Sequence, residues 1–134
     1  MKAFLLAAAL AMLAGAAAAA PRACPDGLHP AATAELFFGR DIGEDVGVSD
    51  ADWQAFLDQE VSPRFASGLS VSDVYGQWKS PKGVFVREPS KALFLVLTGA
   101  KDERDSLGVI REAYKRRFHQ TSVLLVEERA CVSF

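Results

Sequence analysis

The chain contains few of the residues that build metal centres, with only two cysteines and two histidines among 134 residues. Zinc centres use mostly Cys and His ligands, so a zinc site is nearly excluded. An excess of one charge is also missing, because the formal net charge is −2. The sequence therefore lacks the basic surplus of nucleic-acid-binding proteins, and we expect no nucleic-acid partner, no metal and no cofactor.

Long apolar runs are absent as well, except at the start of the chain. After Met1 and Lys2, residues 3–20 are an uninterrupted run of apolar and small residues ending in alanines. This pattern is typical of a secretory signal peptide with a small-residue cleavage site. A spanning helix needs roughly 20 strongly apolar residues, and alanine partitions weakly into lipid. The sequence therefore predicts a signal peptide over residues 1–20, a periplasmic or secreted protein, and no stable membrane span in the mature chain.

The rest of the chain has the length of a single domain. Residues 21–32 form a lead-in that contains Cys24, and residues 33–134 are predicted to form one α+β domain. Lipid attachment at Cys24 is disfavoured, because Pro21 and Arg22 fit the lipoprotein peptidase site badly. An oxidising compartment favours a disulfide between the two cysteines, Cys24 and Cys131.

Apolar periodicity and capping residues predict the individual elements. The first strand is predicted over residues 33–42 and a loop over residues 43–48, and Ser49 is the predicted N-cap of the first helix. The second helix is predicted over about residues 102–118, with the buried stripe Leu107, Ile110, Tyr114 and Phe118.

The predicted element order is strand, helix, strand, strand, helix, strand. The hairpin Leu69–Leu97 supplies the two middle strands, joined by a turn at residues 80–83. This order is the split βαβ or ferredoxin-like pattern, an α+β fold with a four-stranded antiparallel sheet and two helices on one face. Its first and last strands are antiparallel neighbours, which independently brings Cys24 close to Cys131.

The second face of the predicted sheet is too apolar to be left to water. Residues 92–97 are apolar at every position, and Phe37 alternates with Leu36 and Phe38, so it points to the other side. Large exposed apolar patches mark interaction sites. We therefore predict a homodimer through the open sheet face, or a small ligand or protein partner bound there.

Several segments resemble one known family in order and spacing. They are AELFFGRDIG, VSDADWQAFLDQEVSPRF, GLSVSDVYGQW, REPSK and CVSF. Together they resemble the small exported bacterial family catalogued as domain of unknown function 3574, over about residues 34–134. The resemblance implies no activity and no catalytic residues, because the family is defined by sequence rather than by chemistry.

An acidic window follows the first strand and raises the question of a calcium site. Its five carboxylates are Asp41, Glu44, Asp45, Asp50 and Asp52. Calcium loops need oxygen ligands at alternating positions and a glycine at the sharp turn. Here Gly43 takes a ligand position and Val46 takes the turn position. A solvated acidic loop leading into a helix explains these charges better than a metal.

The hairpin and the end of the first strand carry the polar and aromatic residues of a candidate site. Catalytic candidates are Arg40, Tyr75 and Glu88, and ligand-binding candidates are Asp73, Gln77, Trp78 and Arg87. If Tyr75 faces the open side, these groups line the edge of an apolar cavity, as in small-molecule sites. In the alternative interpretation, Arg87 and Glu88 are surface partners across the hairpin and Trp78 caps the core edge.

Two hypotheses about function follow. The first is a non-catalytic exported module that binds a ligand or partner through the open sheet face. The second is a small cofactor-free enzyme of the dimeric α+β-barrel type, with proton transfer by Arg40, Tyr75 or Glu88. Whether the chain is an enzyme is left open by the sequence, since no catalytic motif is present.

Overall fold

Alternating apolar residues in four segments produce four long strands, seen in a computed structural model that describes residues 23–42 and 45–134. The strands are β1 (His29–Gly39), β2 (Ser70–Lys79), β3 (Phe85–Leu97) and β4 (Leu124–Val132). They form one antiparallel sheet in the order β2-β3-β1-β4. With one helix after β1 and one after β3, this confirms the predicted α+β ferredoxin-like fold.

Both helices lie where capping residues and periodicity predict them. Ser49 caps α1 (Asp50–Phe56), since its hydroxyl accepts the Asp52 N–H at 3.1 Å and the Asp52 carboxylate accepts the Ser49 N–H at 3.2 Å. The helix continues as a π-helical turn, Leu57–Val61. The second helix, α2, spans Glu103–Phe118 and carries Lys and Arg residues in its last turn. Their positive charges interact favourably with the negative end of the helix dipole.

The core lies between the two helices and one side of the sheet. Phe38 of β1 is fully buried, and its ring centroid lies 4.8 Å from that of Tyr114 in α2 and 5.1 Å from that of Trp53 in α1. Tilted aromatic pairs of this kind contribute about 0.5–1.5 kcal/mol beyond the apolar area they bury. The aromatic cluster therefore joins β1 to both helices.

The predicted disulfide is present and closes one end of the sheet. Cys24 and Cys131 are bonded, with their Cα atoms 5.6 Å apart and a sequence separation of 107. The register explains the pairing, because Pro30 of β1 lies opposite Cys131 of β4. The predicted signal peptide lies outside the described residues. In the described part of the chain, neither helix has the length and apolar character needed to cross a membrane.

Two segments differ from the elements that periodicity predicts. Strand β1 begins at His29 rather than at Thr33, because residues 29–32 pair with the end of β4. The sheet thus extends into the predicted lead-in. Residues 41–42, predicted as the end of the first strand, instead pair with residues 45–46 of the predicted loop in a short ribbon.

Candidate functional site

The register of the strands assigns each side chain to one of two sides of the sheet. Residues directly opposite each other point to the same side. Leu36 lies opposite Leu93, and both are fully buried on the side that packs against the helices. We call the other side the open face. Its large and charged residues are His29, Glu35, Phe37, Val74, Trp78, Val86, Glu88, Phe94, Val96, Leu124, Val126, Glu128 and Val132.

The open face exposes large apolar side chains to solvent. Trp78 is 48 % exposed, Phe94 42 % and Leu124 58 %. Small residues between the larger ones, such as Thr33 and Ser90, are buried because their bulkier neighbours shield them. An exposed apolar surface formed by a regular sheet marks an interaction site more often than chance. This side of the sheet is therefore the first candidate for a functional surface.

Glu88 occupies one corner of the open face, against the backbone of Gly39. A Cβ atom at position 39 would come within 2.9 Å of the Glu88 carboxylate, so the glycine is needed for this close approach. Burial, together with the negative charge of Asp41, raises the pKa of Glu88, and a hydrogen bond from the Asp41 backbone N–H partly offsets this effect. The protonated carboxyl is thus favoured here more than in water.

On the helix side, the buried Lys91 and the partly exposed Arg40 meet two exposed carboxylates. Lys91 Nζ lies 2.5 Å from Asp73 Oδ1 and 3.1 Å from Asp50 Oδ1, and Arg40 Nη2 lies 3.1 Å from the same Asp50 oxygen. Arg40 Nε also donates to the Val48 carbonyl at 2.8 Å. The hydrogen bond to Asp73 raises the pKa of Lys91. This charged cluster fastens the hairpin to the start of α1, and its cations already have partners.

The phenol of Tyr114 is a further polar group at the end of β1. Its hydroxyl donates to the Gly39 carbonyl at 2.8 Å, and the residue is fully buried. Burial raises the pKa of Tyr114, so the phenol stays protonated and acts as a structural donor. In the sequence, Tyr114 was recognisable only as part of the apolar stripe of α2, since its contact with Gly39 spans 75 positions.

The structure separates the residues of the sequence-predicted site. Tyr75, Gln77 and Arg87 point to the helix side, whereas Trp78 and Glu88 lie on the open face. Tyr75 is 84 % exposed, and Arg87 Nε donates to Gln77 Oε1 at 2.7 Å across the hairpin. Tyr75 therefore does not face the open side, and the condition for a polar edge around an apolar cavity is not met.

A groove of about 1070 Å³ lies at the opposite end of the sheet from Glu88, beside the disulfide and the start of α2. The buried carboxylate of Glu103 lines it, and accepts from the Thr98 N–H at 3.0 Å, the Thr98 hydroxyl at 2.9 Å and the Gly99 N–H at 2.9 Å. Burial alone would raise the pKa of Glu103, but these hydrogen bonds outweigh that effect and lower the pKa. An ionised carboxylate already saturated with donors holds the loop and is poorly suited to proton transfer.

The acidic window after β1 has structural partners in the described chain. Asp52 belongs to the capping box of α1, and Asp50 belongs to the charged cluster. The hydrogen bond from Lys91 and the charge of Arg40 lower the pKa of Asp50. Across residues 23–42 and 45–134, no three His, Cys, Asp or Glu side chains are placed to hold a metal ion. Glu44 lies outside the described residues.

Comparison with known families shows what the chain belongs to. The model of the family described as protein of unknown function (DUF3574) matches residues 33–134. The chain is a member of this family, as its sequence motifs indicate. No curated protein has a significantly similar sequence.

Solved structures with the same fold come from other proteins. A phage SAM lyase in complex with S-methyl-5′-thioadenosine has a TM-score of 0.60 at 16 % identity, covering 78 % of this chain and 90 % of the lyase. The lyase in its apo state has a TM-score of 0.58 at 13 % identity, covering 86 % and 97 %. CutA from Synechococcus elongatus, complexed with a Bis-Tris molecule, has a TM-score of 0.50 at 9 % identity, covering 79 % and 87 %. At these identities the likeness concerns the fold alone.

Proposed function

We propose that this member of the DUF3574 family is a non-catalytic exported module that binds a partner or ligand through the open sheet face. The observation that carries the proposal is the exposure of Trp78, Phe94 and Leu124 on one side of a regular sheet. About half of each side chain is still exposed, so covering it is worth about 1 kcal/mol per residue, and the three together give a substantial driving force for binding. The disulfide is compatible with export.

The positions of the three catalytic candidates support a binding role over catalysis. Arg40 is engaged by the Val48 carbonyl and by Asp50 on the helix side. Tyr75 also lies on the helix side but is solvent-exposed, and Glu88 lies on the open face. A general acid or base must lie within hydrogen-bond reach of the reacting group. Three groups on two sides of a sheet do not converge on one substrate.

A thermal-shift screen of the oxidised mature protein tests the binding surface. The screen includes small molecules, S-methyl-5′-thioadenosine among them because it is bound by the phage lyase of similar fold, and amphipathic peptides. Ligands that stabilise the wild type are expected to lose their effect in Phe94→Ser. The control is Val109→Ser, which removes an apolar side chain of similar exposure, 45 %, from α2. Hits that persist in Phe94→Ser and in Leu124→Ser would contradict the proposal.

Self-association is one way of covering the open face, and the homodimer stays a prediction. Sedimentation velocity at micromolar concentration tests it directly. A dimer that dissociates in Phe94→Ser but persists in Val109→Ser would identify a second copy as the partner. A monomer at all accessible concentrations leaves the face available for a different molecule.

The enzyme hypothesis is favoured by one observation, the raised pKa of Glu88 on the open face beside Trp78. A carboxyl with such a pKa suits general acid–base chemistry. In that case Glu88→Gln would abolish turnover of a ligand found in the screen while leaving its binding within about threefold. Ligands that bind but are recovered unchanged after prolonged incubation support the non-catalytic module.

A further inference from the structure

The helix side of the sheet carries charges of both signs, including the acidic residues Asp73 and Glu127, whereas the open face carries one sign only. The charged strand residues of the open face are all acidic, namely Glu35, Glu88 and Glu128. The basic strand residues, in contrast, all point to the helix side, and they are Lys79, Arg87, Lys91 and Arg129. Among the described strand residues, the open face thus combines apolar side chains with carboxylates and has no lysine or arginine.

The carboxylates stand at the two ends of an apolar strip. Glu35 lies directly across from Phe94 on one side and Val126 on the other, and Glu128 is one row away. Glu88 lies three rows further along, opposite Gly76. The Glu88 side chain reaches back to Gly39, which lies six residues along β1 from Thr33, the partner of Glu128. The two ends of the strip are therefore separated by about 20 Å. Between them lie the apolar side chains of Phe37, Val74, Ala92 and Leu124.

This arrangement disfavours a second copy as the occupant. Glu35 and Glu88 are already partly buried, and a copy of the same face would desolvate carboxylates on both sides without supplying a cation. Burying charges without a partner costs several kcal/mol per ion, and like charges brought together across an interface are costly too.

A cationic occupant would turn these electrostatic costs into favourable interactions. It would cover the apolar strip and place positive groups beside carboxylates that are partly desolvated. The separation of about 20 Å between the ends exceeds the length of a typical small ligand but matches about 14 residues of α-helix. A helix about 10–12 Å wide also fits on a sheet four strands across.

We infer that the open face binds a basic amphipathic segment of another protein, with an apolar stripe on the strip and Lys or Arg near both ends. The inference rests on the proposed function and specifies the partner of that same surface. The binding mode is a helix lying on a flat apolar surface, with flanking ion pairs that set its direction and specificity.

Three synthetic helical peptides test the charge requirement. Each has about 14 residues, the same leucine stripe and a fluorescent label, and the remaining positions are Lys, Gln or Glu. Fluorescence anisotropy measures their binding to the oxidised mature protein. The Lys peptide is expected to bind most tightly, with an affinity that falls as salt is raised. Phe94→Ser and Leu124→Ser are expected to weaken its binding, and thermal melts verify that both variants are folded.

Single substitutions test whether the named carboxylates are responsible. Glu35→Gln, Glu88→Gln and Glu128→Gln should each weaken binding of the Lys peptide about threefold and reduce its salt dependence. The matched control is Glu127→Gln, since Glu127 neighbours Glu128 but points to the helix side and pairs with Arg104 at 3.2 Å. It removes the same charge and should leave the affinity unchanged.

The outcomes separate this inference from the proposed function. If the Gln or Glu peptide binds as tightly as the Lys peptide, and Phe94→Ser abolishes that binding, the basic partner is refuted and the binding surface stands. If Glu127→Gln weakens binding as much as Glu128→Gln, the effect is one of net charge and the inference is wrong. A wild-type dimer that dissociates in Phe94→Ser also overturns it. Binding that Phe94→Ser and Leu124→Ser leave unchanged refutes the proposed function itself.

Discussion

The two sides of the sheet share four strands but differ in what covers them. On the helix side, Leu93 is fully buried, and on the open face its neighbour Phe94 is 42 % exposed. Both residues belong to the same apolar run of β3 and differ only in the direction that alternation gives them. The comparison teaches that the apolar residues of this chain have two roles. Those on the helix side hold the fold together, and those on the open face are available for a partner.

The largest expected effect comes from truncating the two neighbours in β3. Leu93→Ala leaves a cavity in the core and should lower the free energy of unfolding by about 2–5 kcal/mol. Phe94→Ala removes an exposed side chain, and its cost should be under about 1 kcal/mol. Urea unfolding followed by the fluorescence of buried Trp53 measures both. Equal losses for the two variants would break the comparison, because Phe94 would then belong to a second core.

The next effect concerns the end of the sheet beside the disulfide. Cys24→Ser with Cys131→Ser removes a crosslink that spans 107 positions. Closing a loop of about 100 residues contributes about 4–5 kcal/mol in the chain-entropy model, and measured losses for native disulfides are about 2–5 kcal/mol. Urea unfolding of the oxidised wild type and the double variant gives the difference.

That double variant also sharpens the comparison, because it acts on stability without touching the open face. Once folded, it should bind an open-face ligand with the affinity of the wild type. Loss of binding in the folded variant would show that the disulfide shapes the binding surface. The reduced wild type is the matched control, since it lacks the bond but keeps both sulfur atoms.

Glu103, the first residue of α2, allows the helix side to be tested through the pH dependence of stability. Hydrogen bonds from Thr98 and Gly99 lower the pKa of Glu103 in the folded state. The folded protein therefore loses this proton more readily than the unfolded chain does. Its stabilisation is therefore complete above the unfolded value of 4.5 and is lost as the pH falls through the lower folded value. Glu103→Gln should cost about 1–3 kcal/mol at pH 7, and the difference from the wild type should shrink below pH 4.5. A difference that does not change with pH would contradict the assignment.

Much of the helix side could be predicted from the sequence, because it follows from local patterns. The stripe Leu107, Ile110, Tyr114 and Phe118 is buried as its spacing predicts, and Ser49 caps α1 as its residue type predicts. The cysteine pairing was predicted from the count of two and the expected oxidising compartment, and the order of the elements agreed with it independently. The stripe and the cap depend on periodicity and capping, which are properties of short segments.

The open face was less accessible to sequence reasoning, because it depends on register. Alternation separates Tyr75 from Trp78 but does not say which of them lies on the side of the helices. The pairing of Asp73 with Lys91 and of Tyr75 with Pro89 decides it, and places Tyr75 on the helix side. Glu35 was missed although it alternates with Leu36, since a carboxylate in a mostly apolar strand is informative only once its neighbours across the sheet are known.

The smallest expected effect belongs to Glu88, whose response to pH should be opposite to that of Glu103. Burial raises its pKa in the folded state, so the folded protein binds this proton more tightly than the unfolded chain does. Stability therefore falls as the pH rises from the unfolded value of 4.5 through the higher folded value. Glu88→Gln removes this penalty and should raise the free energy of unfolding at pH 7 by less than about 1 kcal/mol, because solvent screens a partly exposed carboxylate. Urea unfolding from pH 4 to pH 8 should show the variant gaining on the wild type as the pH rises, and a gain already complete at pH 4 would mean that its cause is packing against Gly39 rather than charge.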